Sequence, residues 1–146
     1  MLKNIDPLLF PELLKLLAEM GHGDEVVLAD ANFTAMSLGR GKPVLRLPGI
    51  GVARAAEAVL SVFPLDAAVT QPIAYMQVSG TPQGYRSALQ REVIAAFVAR
   101  GEAASEQCEA IERFAFYDSA KRSFGVVQVG DIRSFGCFLI RKGTIN

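Results

Sequence analysis

The chain has no surplus charge: fifteen lysines and arginines are cancelled by fifteen aspartates and glutamates. No basic tract points to nucleic acid, and no acidic tail points to a charged partner. Histidine occurs once, at His22, and cysteine only at Cys108 and Cys137. One imidazole and two distant thiols cannot supply a standard zinc site. A basic region followed by an apolar core and a small-residue cleavage site, the pattern of an export signal, is missing. The thiols therefore read as buried and unpaired, and a cytoplasmic location is expected. No apolar run approaches the ~20 residues that cross a bilayer, so no membrane association is expected. The phosphate-cradling patterns GxGxxG and GxxxxGK[ST] are absent, as is the GxSxG nucleophile elbow. The chemistry left is that of His, Asp or Glu, Arg and Tyr, suited to a neutral polar ligand.

Hydrophobic residues make up 51% of the 146, which suits one globular domain spanning residues 1–146. Mean hydropathy is positive, +0.28. A monomer of this size cannot easily hide so much apolar surface, which points towards an oligomer. Pro11 to Gly21 reads as a helix, with Leu13, Leu17 and Met20 on one face and Gly21 just past its end. The run Glu25-Val26-Val27-Leu28-Ala29 reads as a buried strand. Residues 31–41 read as a loop, Pro43 to Leu47 as a strand and Val52 to Val62 as an Ala-rich helix. Ile73 to Val78 is a further expected strand, followed after Gly80-Thr81-Pro82 by a helix reaching Arg100. A helical turn is expected over Ala103 to Ala110. Arg113 to Ser123 reads as a short helix approached by a strand-like stretch. Gly125 to Val129 and Gly136 to Lys142 form a late pair of strands, expected to run antiparallel. The alternation predicts an α/β sandwich.

His22 lies between two glycines where a helix gives way to a strand. Imidazole is the side chain suited to both taking and giving a proton near neutral pH. Its ordinary alternative there is to bind the last carbonyls of the helix. Asp30 stands at the carboxyl end of the next strand, where open α/β sheets bind ligands; its ordinary alternative is an Asx turn with Asn32. Five or six extended residues at ~3.3 Å each separate the two by about 20 Å. They cannot both reach one small ligand along a straight strand. Either the chain curls back before Asp30, or one site draws on two subunits. Arg113 and Tyr117 are four apart, hence on one helical face, and can donate hydrogen bonds to a polar ligand. Tyr85-Arg86 reads as a solvated helix face.

Three blocks carry a family resemblance: Pro11-Glu12-Leu13-Leu14 through Met20-Gly21-His22-Gly23-Asp24-Glu25 to Ala29-Asp30-Ala31-Asn32-Phe33; Glu112-Arg113-Phe114-Ala115-Phe116-Tyr117; and Gly130-Asp131 followed by Phe135-Gly136-Cys137-Phe138-Leu139-Ile140-Arg141-Lys142-Gly143, with Pro64-Leu65-Asp66 between. Over nearly its whole length the chain resembles the L-fucose mutarotase and D-ribose pyranase family, on the fucose side. The resemblance implies a layered α/β/α sandwich with a mixed, mostly parallel sheet. It also implies an isomerase, free of metal and cofactor, that interconverts anomers of a free monosaccharide, with L-fucose or a related sugar as substrate. Its subunits would form a homodecamer of two pentamers, with sugar sites in grooves between neighbours. His22 and Asp30 become the catalytic candidates. Arg113, Tyr117, Asp66 and Met76 become substrate contacts, although Asp66 also suits a turn cap and Met76 a core position. Where the family usually ends its last strand with Tyr-x-Asn, this chain has Phe135 and Cys137. Phe135 keeps a ring to stack on sugar but loses a hydroxyl, and Cys137 cannot replace an amide. A noncatalytic sugar-binding or transport-associated protein of the same fold is the alternative, and a ligand-free ring-forming protein the third reading.

Overall fold

The computed structural model describes residues 1–100 and 103–146. Eleven elements follow one another: α1 (Pro11–Glu19), β1 (Glu25–Ala29), α2 (Ala35–Leu38), β2 (Val44–Leu47), α3 (Val52–Leu60), β3 (Ile73–Met76), α4 (Ala88–Ala99), β4 (Cys108–Ile111), α5 (Arg113–Arg122), β5 (Gly125–Val129) and β6 (Phe138–Arg141). The strands form one sheet in the order β2-β5-β1-β6-β3-β4. β6 runs antiparallel to both of its neighbours, β1 and β3, and the other pairings are parallel.

Alternation along β1 shows why the sheet needs cover on both sides. Val26 and Leu28 pack into a core with Leu13 and Leu17 of α1, Ala55, Ala56 and Val59 of α3, and Val93, Ile94 and Phe97 of α4. Val27 and Ala29 point the other way, into a smaller cluster with Phe33, Ala35 of α2, and Phe116 and Ala120 of α5. Successive side chains of a strand face opposite sides of its sheet. A strand buried on both sides therefore reads as an unbroken apolar run. The result is the expected three-layer α/β/α sandwich with a mixed, mostly parallel sheet. No helix among the described residues is long and apolar enough to cross a membrane.

Several boundaries differ from expectation. The stretch expected as a helical turn, Ala103 to Ala110, holds a 3-10 turn at Ser105–Gln107 and then enters β4. β4 is an edge strand of four residues with Glu109 half-buried in its middle, too short and too mixed for a period-two signal. The loop over residues 31–41 contains the four-residue α2. α4 begins only at Ala88: Gly84 has φ +84°, and Ser87 caps the helix with its side chain accepting from the Gln90 N–H. Arg86 is not part of a solvated helix face. Its guanidinium donates to the Tyr75 hydroxyl at 3.1 Å and to the carbonyls of Ser105 and Cys108 at 2.9 and 3.0 Å. β5 and β6 do run in opposite directions, but they are not hairpin partners, because β1 lies between them.

Phe138 opens β6 fully buried, with the Tyr75 and Phe97 ring centroids 6.1 and 5.9 Å away. Phe138→Ala should destabilise the fold by about 3–5 kcal/mol, the usual cost of emptying an aromatic core position. Urea unfolding measures it against Ile132→Ala, an 83% exposed control expected to stay within about 0.5 kcal/mol of the parent.

Candidate functional site

The sheet order brings four chain segments to one end of the sheet. β1, β3 and β4 run towards that end, and the antiparallel β6 starts there. Asp30 follows β1, Met76 ends β3, Arg113 opens α5 just after β4, and Phe135 and Cys137 lead into β6. These residues line a cavity of about 210 Å³ with Asn32, Phe33, Tyr117 and Ser134. It is small beside the ~300–1,000 Å³ of drug-sized sites, a size suited to a monosaccharide rather than a nucleotide.

Asp30 is 2% exposed, and its carboxyl is held on both oxygens. Oδ1 accepts the Asn32 N–H at 2.9 Å, the expected Asx turn, and Oδ2 accepts the Gly136 N–H at 2.8 Å. The Cys137 Sγ lies 3.5 Å from the same Oδ2. Burial pushes the Cys137 thiol well above its ordinary range, so it lines the cavity as a neutral group. Gln128 of β5 fastens the neighbouring wall, its amide N–H donating to the carbonyls of Asp30, Ala31 and Phe33 at 3.2, 3.2 and 2.8 Å. On α5 the Arg113 Nε donates to the Tyr117 hydroxyl at 2.9 Å, as their spacing predicts, and the guanidinium lies 5.3 Å from the Tyr117 ring centre. Glu112 caps that helix, its carboxylate accepting from the N–H groups of Phe114 and Ala115. Phe135 stands at φ +62°, a left-handed conformation uncommon for a bulky side chain.

His22 is at the other end of β1, beside Asp66 rather than Asp30. Its Nε2 is 3.1 Å from Asp66 Oδ1. Asp66 is 2% exposed; its Oδ1 also accepts the Ala68 N–H at 3.0 Å, and its Oδ2 accepts from Arg141 Nε at 2.8 Å. The turn that presents His22 is pinned on both flanks. The Gly21 N–H donates to Asp24 Oδ2 at 2.7 Å, and the N–H of Gly23, at φ +89°, donates to the Lys142 carbonyl at 2.8 Å. The Lys142 ammonium donates to the carbonyls of Leu17 in α1 and of Met20 just past its end. His22 is thus free of the helix-capping role that its position suggests. A larger cavity of about 390 Å³ beside His22 is walled mostly by Leu14, Leu17, Val62, Pro64 and Ile145. It has few of the converging polar groups that a sugar requires.

One chain therefore brings Asp30, Met76, Arg113, Tyr117, Phe135 and Cys137 together in one cavity, and His22 and Asp66 together elsewhere. β1 runs unbroken from Glu25 to Ala29 between them, and His22 and Asp30 line separate cavities. Sequence reading missed Ser134 in the cavity wall and Arg141 as the partner of Asp66. It also missed Gln90, whose pairing with Ser87 is legible as a capping box.

An α/β/α sandwich with a small, polar-rimmed cavity at the carboxyl ends of its strands is a binding domain for a small polar molecule. The family model described as the RbsD / FucU transport protein family matches residues 3–145. The L-fucose mutarotase of Actinobacillus pleuropneumoniae serotype 5b is 43% identical over 143 residues, covering 98% of this chain and 96% of that one. The human fucose mutarotase is 41% identical over 147 residues, covering 99% and 94%. The crystal structure of the Streptococcus pneumoniae fucose mutarotase in complex with L-fucose superposes with a TM-score of 0.88 at 29% identity, covering 99% of this chain and 100% of that one. The chain belongs to the RbsD / FucU family.

The Asp66 carboxyl lies at about 2, below its ordinary 3.8, first because the Arg141 guanidinium donates to it and then because of the Ala68 N–H. A carboxyl lowered by folding stabilises the fold above its unfolded value, and that contribution is lost as pH falls from about 4 to about 2. Asp66→Asn should be less stable than the parent at neutral pH. Urea midpoints measured from pH 6 down to pH 2 should show the gap closing in that acid window. A constant gap would exclude the ion pair as its source.

Proposed function

We propose that this chain is a cofactor-independent monosaccharide mutarotase that interconverts the anomers of a free sugar, L-fucose or a related one. Residues 1–146 act as one sugar-binding domain. The assembly is a cytoplasmic homodecamer of two pentamers. The observation that carries the reading is the convergence of Asp30, Arg113 and Tyr117 beside the apolar Phe33, Met76 and Phe135 in a monosaccharide-sized cavity. Relatives named fucose mutarotase and a structural neighbour bound to L-fucose support the sugar class. Two free, buried thiols suit a reducing compartment.

Mutarotation breaks the bond between the anomeric carbon and the ring oxygen. A base takes the anomeric hydroxyl proton as the carbonyl forms, and an acid protonates the departing ring oxygen. Rotation of the free aldehyde and reclosure, with the roles reversed, give the other anomer. His22 is the proton carrier in this reading. The low-lying Asp66 can only accept a hydrogen bond at neutral pH, so it assigns the proton to Nε2 and leaves the Nδ1 lone pair for substrate. Asp30, held by two backbone N–H groups, receives sugar hydroxyls, and Arg113 and Tyr117 donate to sugar oxygens. Because β1 separates His22 from Asp30, the His22 serving each cavity comes from a neighbouring subunit.

Exchange spectroscopy by NMR on a panel of free sugars tests the activity. Acceleration should fall by about 100-fold or more in His22→Ala. Sugar binding without acceleration by the parent would favour the noncatalytic alternative. Co-expressing His22→Ala with Asp30→Asn tests the shared site. If each site combines His22 and Asp30 from different subunits, about one quarter of the sites in mixed rings regain both parent residues, and activity returns to that level. A site built from one chain gives no recovery.

Phe135→Tyr with Cys137→Asn restores the hydroxyl and amide missing from the cavity wall. At ~1 kcal/mol per hydrogen bond, fucose turnover at low sugar concentration should rise at least about fivefold. An unchanged rate would mean that the Phe135 and Cys137 wall does not set the preference for this sugar.

A further inference from the structure

Gln90 is fully buried. A buried amide is tolerated only where its hydrogen-bonding atoms find partners, and here both do. Its Oε1 accepts the Ser87 N–H at 3.0 Å, and the Gln90 backbone N–H donates to Ser87 Oγ at 3.1 Å, which closes the N-terminus of α4. That capping box uses only one end of the side-chain amide. The other end, Nε2, leaves the helix and donates to the Met76 carbonyl at 2.8 Å and to the Phe135 carbonyl at 3.0 Å. Met76 and Phe135 both line the Asp30 cavity, and they belong to separate segments, the end of β3 and the approach to β6. Phe135 is also the cavity residue with a left-handed backbone, a conformation that persists only when the surroundings hold it.

We propose that Gln90 is a positioning residue for the sugar cavity, its amide pinning Phe135 and Met76 in register so that their side chains form a fixed apolar wall. Asp30 grips the same loop at the next residue, through the Gly136 N–H. A β-carbon on Gly136 would lie 2.6 Å from Leu89 Cδ2, 3.3 Å from Val52 Cγ2 and 3.4 Å from Asp30 Cβ, so the loop is closely packed against its neighbours. Gln90 touches no sugar. It acts by removing loop positions in which the Phe135 ring leaves the wall. Because Phe135 and Met76 hold the sugar and move no protons, loss of Gln90 raises KM and largely spares kcat. The assignment rests on the sugar-site reading above.

The test compares Gln90→Met, which keeps the length of the side chain and removes the amide, with Ser87→Ala, which removes the capping hydroxyl and leaves the Nε2 contacts. Gln90→Glu is a second variant, retaining the acceptor for the Ser87 N–H while placing oxygen against two carbonyls. Two readouts are taken on the full chain: hydrogen exchange of the Gly136 amide without sugar, and KM and kcat for anomer exchange of L-fucose. The expected result is faster Gly136 exchange and a KM raised at least ~10-fold in Gln90→Met and Gln90→Glu, with kcat within about threefold and both readouts near the parent in Ser87→Ala. Equal effects in Ser87→Ala would reduce Gln90 to a helix cap and overturn the proposal. So would unchanged Gly136 exchange, or faster exchange at constant KM. If the parent accelerates no sugar, the mutarotase reading and the KM effect fall together. Gly136 exchange still decides whether Gln90 holds the loop.

Discussion

The burial of β1 on both faces sets the geometry of everything around it. Val26 and Leu28 are committed to one core, and Val27 and Ala29 to the other. A strand held in this way cannot bend or slip by one residue without moving apolar side chains to the wrong side. The turn before it and the turn after it are therefore kept apart by the length of the strand. His22 belongs to the first turn and Asp30 to the second. The distance between them is a consequence of core packing, and within one chain the two line separate cavities.

The insertion of β6 is the second constraint. Because it runs antiparallel between β1 and β3, it begins at the carboxyl end of the sheet, where the parallel β5 has just ended. Phe135, Gly136 and Cys137 thereby arrive beside Asp30, more than a hundred residues away in sequence. The Gly136 N–H closes the contact with the Asp30 carboxylate. At the far end of β6, Arg141 lies opposite Glu25 in the β1 pairing and reaches Asp66. One strand thus braces both polar clusters, with a backbone donor at its start and a guanidinium at its end.

Much of this was legible in the order of the residues. The unbroken run Val26 to Leu28 announces a strand buried on both faces. Gly21 marks the end of α1, and the spacing of Arg113 and Tyr117 foretells their hydrogen bond. The distance estimate across β1 already separates His22 from Asp30. What was not legible depends on pairing over long range. β4 has four residues, one of them the half-buried Glu109, and becomes a strand only because the Ile73 to Met76 edge is there to pair with it. Nothing local to Asp66 names Arg141 as its partner, 75 residues later. Nothing in the Ser87 and Gln90 pattern reports that the free end of the amide reaches Phe135.

The hydrogen bonding of the two acids assigns them different work on the proposed reading. Each oxygen of Asp30 already accepts from a backbone N–H, and the whole group is fastened inside the sheet edge. It suits a fixed acceptor that orients hydroxyls, since moving it would leave two backbone amides without their acceptor. Asp66 is likewise fixed, by Arg141 and Ala68, but its remaining contact is to a half-exposed imidazole. A carboxylate that stays charged far into the acid range keeps His22 oriented without competing for its proton. Proton movement then falls to the imidazole, the side chain of the set with its outer nitrogen unclaimed. Cys137 fits the same division. Its neutral thiol against Asp30 neither donates strongly to sugar nor takes up charge, so orientation in this cavity depends more on Arg113, on Tyr117 and on the held ring of Phe135.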